Sequence, residues 1–78
     1  MIMQKFDFIT MNPLILGGKP CIKGTRISVE FILELIASGA SIAYIVKAYP
    51  HLPETGVKQA IEYATAQLKN DVVFEVNH

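Results

Sequence analysis

Seventy-eight residues, 51% hydrophobic and 18% charged, with seven basic side chains balanced by seven acidic ones, make one small domain with no room for a second core. The neutral balance excludes a strongly basic nucleic-acid coat protein, so any DNA contact must come from a local patch, and a single cysteine excludes an internal disulfide or a cysteine-built zinc cage. Charged residues fall short of the roughly 25% of ordinary soluble domains, so much of the surface must be apolar, which is the mark of an interface.

Residues 1–27 are dense in glycine and proline, with Pro13, Gly17, Gly18, Pro20 and Gly24 breaking up short apolar bursts. Phe6, Phe8, Ile9, Leu14 to Leu16, Cys21-Ile22 and Arg26-Ile27 read as short extended pieces separated by turns. The expectation is an irregular β-hairpin arm. Asp7 interrupts the apolar run that a signal peptide would need, so the chain is expected to be cytoplasmic. From Ser28 the period becomes helical. Ser28 is a cap, Val29, Ile32, Leu33 and Ile36 share one face, and Gly39 suits the left-handed stop. Glu30 and Glu34 interrupt the longest apolar stretch, Val29 to Val46, which is also shorter than the roughly 20 residues of a membrane span.

A second helix opens at Ser41 and buries Ile42, Ile45, Val46 and Tyr49. Pro50 and Pro53 bracket the next turn. A third helix carries Val57, Ala60, Ile61, Ala64 and Leu68 on its core stripe. After Asn70, Val72, Phe74 and Val76 alternate with Val73 and Glu75, the pattern of a short strand. The chain thus divides into an arm (1–27), a tri-helical part (28–69) and a strand or tail (70–78). The expected fold is mainly α: a three-helix helix-turn-helix, winged-helix-like domain with an N-terminal β-hairpin arm and a short C-terminal strand. In such a unit the last helix enters the DNA major groove and the one before it braces across the backbone.

Stepping 100° per residue around the third helix turns Thr55, Gln59, Glu62 and Ala66 outward, with Lys58 and Lys69 at the flanks. A Gln59 amide can pair with adenine, a Thr55 hydroxyl can meet a phosphate, and Lys58 adds charge. Glu62 opposes DNA, and the same residues also fit a plain solvated helix face. Lys19, Lys23 and Arg26 form a second basic group that can grip phosphates. Alternatively, Arg26 forks onto Glu30 and only fixes the arm to the first helix. His51 and His78 are far apart and Cys21 has no histidine nearby, so no metal, cofactor or catalytic group is expected.

The run Gly17-Gly18-Lys19-Pro20-Cys21-Ile22-Lys23-Gly24-Thr25-Arg26-Ile27-Ser28-Val29 resembles the bacterial proteins catalogued as domain of unknown function 433. The resemblance continues through Leu35 to Gly39, Tyr49 to Leu52 and Val57, Ala60, Tyr63-Ala64, and covers residues 9 to 66. It implies a VapB-type antitoxin, a homodimer that silences a PIN-like nuclease toxin from a neighbouring gene and represses its own operator DNA. Lys19, Lys23, Gly24, Thr25 and Arg26 are the motif positions it carries over. Pro53-Glu54-Thr55-Gly56 departs from the pattern. A glycine in the first turn costs about 1 kcal/mol against alanine, so the third helix is expected to start late or fray. Val72, Phe74 and Val76 are the expected partner-binding residues, adding a strand to the toxin or the sister subunit. The alternative function is a dimeric interaction module that does not bind DNA.

Overall fold

The computed structural model describes residues 6–71. These residues are mainly helical, with three helices and a two-stranded antiparallel hairpin near the N-terminus. Strand β1 (Ile9–Thr10) pairs with β2 (Cys21–Ile22), Ile9 opposite Ile22 and Thr10 opposite Cys21. Helices α1 (Val29–Ala37), α2 (Ile42–Ala48) and α3 (Glu54–Asp71) follow. Among the described residues no helix is long and apolar enough to cross a membrane.

Local chemistry sets the helix ends. The Ser28 hydroxyl accepts the Phe31 N–H at 2.9 Å and the Ser41 hydroxyl accepts the Tyr44 N–H at 3.0 Å, each satisfying a donor that the first turn leaves open. Helix α1 stops in a Schellman closure: Gly39 N–H donates to the Ile36 carbonyl and Ala40 N–H to the Leu35 carbonyl. That geometry requires a left-handed residue after the cap, and Gly39 supplies it at φ +107°.

The core is Ile22, Val29, Ile32, Ile45, Leu52, Val57 and Ala60, contributed by the hairpin, all three helices and the turn before α3. Fully burying an isoleucine contributes about 1.5–3 kcal/mol, and Ile22, Ile32 and Ile45 are fully buried. The hairpin is therefore part of the core and not a free arm. Ile22 reaches α3 where Gly56 lies: a Cβ built on Gly56 would stand 3.2 Å from the Ile22 side chain and 3.2 Å from the Pro53 ring. The glycine admits the hairpin, and α3 begins at Glu54 instead of starting late.

Three further expectations are corrected. Leu14 to Leu16 is not one extended piece: only Ile15 has extended backbone, between a turn at Pro13-Leu14 and a 3-10 turn at Leu16–Gly18, because Asn12 and Pro13 start a turn that the following glycines continue. Helix α3 continues through Asp71, past the expected boundary at residue 69, so no strand starts at Asn70. Val72, Phe74 and Val76 lie outside the described residues. Leu33 and Leu68 belong to the apolar stripes, yet they are 37% and 63% exposed. The core ends short of both.

Candidate nucleic-acid interface

The Gly-Thr-Arg-Ile segment after β2 folds as one tight turn. Thr25 N–H donates to the Ile22 carbonyl at 3.0 Å, and Gly24, at the third position, has φ +79°, as a type II turn demands. The Thr25 hydroxyl then clips the turn shut, donating to the Ile22 carbonyl at 2.7 Å and accepting the Ile27 N–H at 3.0 Å. Ile22 N–H donates back to the Ile27 carbonyl at 2.9 Å. Gly24 and Thr25 are thus consumed by the turn itself. Lys23 and Arg26 project from it, both exposed, and neither forms an ion pair among the described residues.

This turn is fastened to the first half of α3. Lys23 N–H donates to the Phe8 carbonyl at 2.7 Å, and Phe8 N–H donates to the Gln59 side-chain oxygen at 2.9 Å. Gln59 was expected to face outward. Instead it is half-buried, its carbonyl spent on the hairpin backbone, because the strand-edge N–H of Phe8 needs an acceptor where β1 crosses the helix. Thr55 and Lys58 are exposed on the same half of α3. Lys58 pairs with Glu54 at 3.3 Å, a one-turn helix pair with both side chains well solvated. An exposed pair of this kind contributes about 0.3–0.5 kcal/mol, little enough for a phosphate to displace Glu54.

Lys19 stands apart from this group. It pairs with Glu30 at 3.1 Å, which settles the competition for Glu30: Lys19, not Arg26, takes it. The two approach across the entry to α1, which the Pro20 carbonyl fixes by accepting the Val29 N–H at 2.9 Å. The structure therefore sets Lys23 and Arg26 on a turn tied, through Phe8 and Gln59, to the half of α3 on which Thr55 and Lys58 are exposed. Lys19 instead flanks an apolar groove of about 360 Å³ between α1 and the second half of α3, walled by Val29, Leu33, Tyr63, Ala64 and Leu68.

The groove was not visible as a site in the sequence, because its walls follow the same spacing as core positions. The exposed Tyr44 on α2 likewise carries no signal in the sequence that marks it as a site. Among the described residues no group of three metal-ligating His, Cys, Asp or Glu side chains comes together.

Residues 9–64 match the family model described as "Protein of unknown function (DUF433)". The chain is also 35% identical over 60 residues to "Uncharacterized protein y4eO" of Sinorhizobium fredii (strain NBRC 101917 / NGR234), an alignment covering 77% of this chain and 27% of the relative. The chain thus spans about a quarter of the length of the curated relative it matches. No solved structure matches. The motif that folds into the clipped turn and the helices packed on it fall within the matched segment, and the chain belongs to the DUF433 family.

Proposed function

We propose that this protein is a DNA-binding antitoxin. In this reading α2 and α3 act as a helix-turn-helix, and the hairpin acts as an arm beside the reading helix. The protein represses its own operon and neutralises a PIN-like nuclease toxin by direct binding in the cytoplasm. The observation that carries the DNA-binding part is the presentation of Lys23 and Arg26. Two cations stand exposed on a turn locked by the Thr25 hydroxyl, fastened through Phe8 to the first half of α3, and neither forms an ion pair among the described residues. Two cations on a locked turn, tied to the first half of a helix that exposes Thr55 and Lys58, suit contact with phosphates. The toxin-binding part rests on the family resemblance and on the apolar groove at the other half of α3.

The test is a titration of the purified protein against its own upstream DNA, with and without the product of the neighbouring gene. A specific shift that is strengthened by the neighbour supports the reading. Lys23→Glu with Arg26→Glu should abolish the shift and leave the complex with the neighbour intact. Gln59 is the wrong residue to change for this purpose, since its loss would also loosen the hairpin.

One observation favours a second reading, an interaction module that does not bind DNA. Glu54 and Glu62 are exposed along the same helix as Lys58, and Lys58 is already paired. A stable complex with the neighbouring gene product and no shift at low salt would select this reading.

A further inference from the structure

The groove between α1 and α3 leaves the side chains of Leu33 and Leu68 open to solvent, and its own chain arrives at its edge. The Phe6 ring meets Tyr63, one of the groove walls, edge to face, with centroids 5.5 Å apart and planes at 87°. Two residues on, Phe8 N–H donates to the Gln59 side chain, one helical turn before Tyr63. There the chain reverses: Ile9 N–H donates to the Phe6 carbonyl at 3.0 Å, and Met11 on the returning limb accepts the Tyr63 hydroxyl on its sulfur at 4.0 Å. The tip of this turn thus meets Gln59, and both its limbs meet Tyr63. A chain that enters at Tyr63 and runs toward Gln59 comes from the side of the later residues of α3, where the groove lies.

The segment leading into Phe6 is Met1-Ile2-Met3-Gln4-Lys5, outside the described residues. We infer that this segment covers the groove of its own chain as an apolar strap, with Ile2 and Met3 against Leu33, Tyr63 and Leu68. Its reach suffices. Five extended residues span about 16 Å, whereas Tyr63 and Leu68 stand about 7.5 Å apart along the helix axis. Its chemistry fits as well. Methionine is flexible enough to fill an irregular apolar groove and packs its sulfur against aromatic rings, and Tyr63 already holds Met11 in this way. The segment after Asp71 is worse placed, because α3 runs nearly a turn past Leu68 before that segment begins. The inference concerns the isolated chain and holds whether or not the groove meets a toxin; where it does, the strap is what the partner displaces.

Nuclear Overhauser contacts in the full chain, labelled with carbon-13 in its methionine methyls, test it. The Met3 methyl should contact the Tyr63 ring and the Leu68 methyls, and a mixture of labelled and unlabelled copies should show those contacts within one chain. Met3→Asp should raise the unfolding equilibrium constant at least tenfold. Leu68→Glu should do the same, an effect too large for an exposed position that nothing covers. The double variant should stay within about twofold of either single one, because a strap already out of the groove loses nothing more there. Absence of Met3 contacts to the groove walls overturns the inference, as do contacts found only between copies, a Met3→Asp protein of unchanged stability, or single effects that simply add. A truncation after Asp71 that abolishes the Leu68→Glu effect gives the groove to the C-terminal segment and overturns it too.

Discussion

Gln59 on α3 accepts the backbone N–H of Phe8 at 2.9 Å across 51 positions of sequence, and through it the hairpin that carries the cationic turn is fixed to a helix formed much later in the chain. A half-buried amide that loses its acceptor costs about 1–2 kcal/mol. Gln59→Ala should therefore lower the melting temperature by about 4–8 °C for each kcal/mol lost. Gln59→Glu keeps an acceptor in place and should recover most of it. Thermal unfolding followed by circular dichroism, with amide exchange at Phe8, separates the two variants. Equal stability of both with the wild type would show that the tie contributes nothing.

Gly56 should respond against the usual helix rule. Replacing a helical glycine by alanine ordinarily stabilises by about 1 kcal/mol. Here the new methyl would stand 3.2 Å from Ile22 and 3.2 Å from the Pro53 ring. Ile22 is fully buried, so its side chain cannot move aside freely. Gly56→Ala should lose about 1 kcal/mol in a denaturant titration, the scale of mild overpacking, and Gly56→Val more. A stabilised Gly56→Ala would mean that the hairpin shifts away from α3 at no cost.

Thr25 acts through its hydroxyl. Thr25→Val keeps the shape, removes the bonds to the Ile22 carbonyl and the Ile27 N–H, and should cost about 1–2 kcal/mol. Thr25→Ser retains both bonds and should stay within about 0.5 kcal/mol of the wild type. Chemical denaturation of the three proteins decides it. If valine is as stable as serine, the clip is not what holds the turn.

Arg26 should behave in the opposite way. Its side chain is exposed and forms no ion pair among the described residues, so Arg26→Ala should leave stability within about 0.5 kcal/mol. Its effect should appear in DNA binding, where the slope of log affinity against log salt should fall by about 0.9 for one lost phosphate contact. An unchanged slope would remove Arg26 from the interface.

The helices were legible in the sequence because their determinants are local. Ser28 and Ser41 cap their helices, Gly39 ends α1, and Val29, Ile32, Ile45, Val57 and Ala60 are buried at the positions their spacing assigned. The hairpin was legible as a class of structure, from its glycines and prolines, though the 3-10 turn at Leu16–Gly18 and the reach of α3 to Asp71 were not. What only the tertiary structure decided is which residues meet. Periodicity places Gln59 on the outside of an isolated helix, but it has no information about a strand arriving from 51 residues away. Gly56 reads as a helix weakness until Ile22 is seen against it. Lys19 and Arg26 are equivalent candidates for Glu30 by charge, and the turn that follows β2 gives Glu30 to Lys19. Composition alone announced surplus apolar surface; folding concentrated it in a groove and a projecting loop, because a chain of 78 residues has too little volume to enclose all the apolar surface it carries.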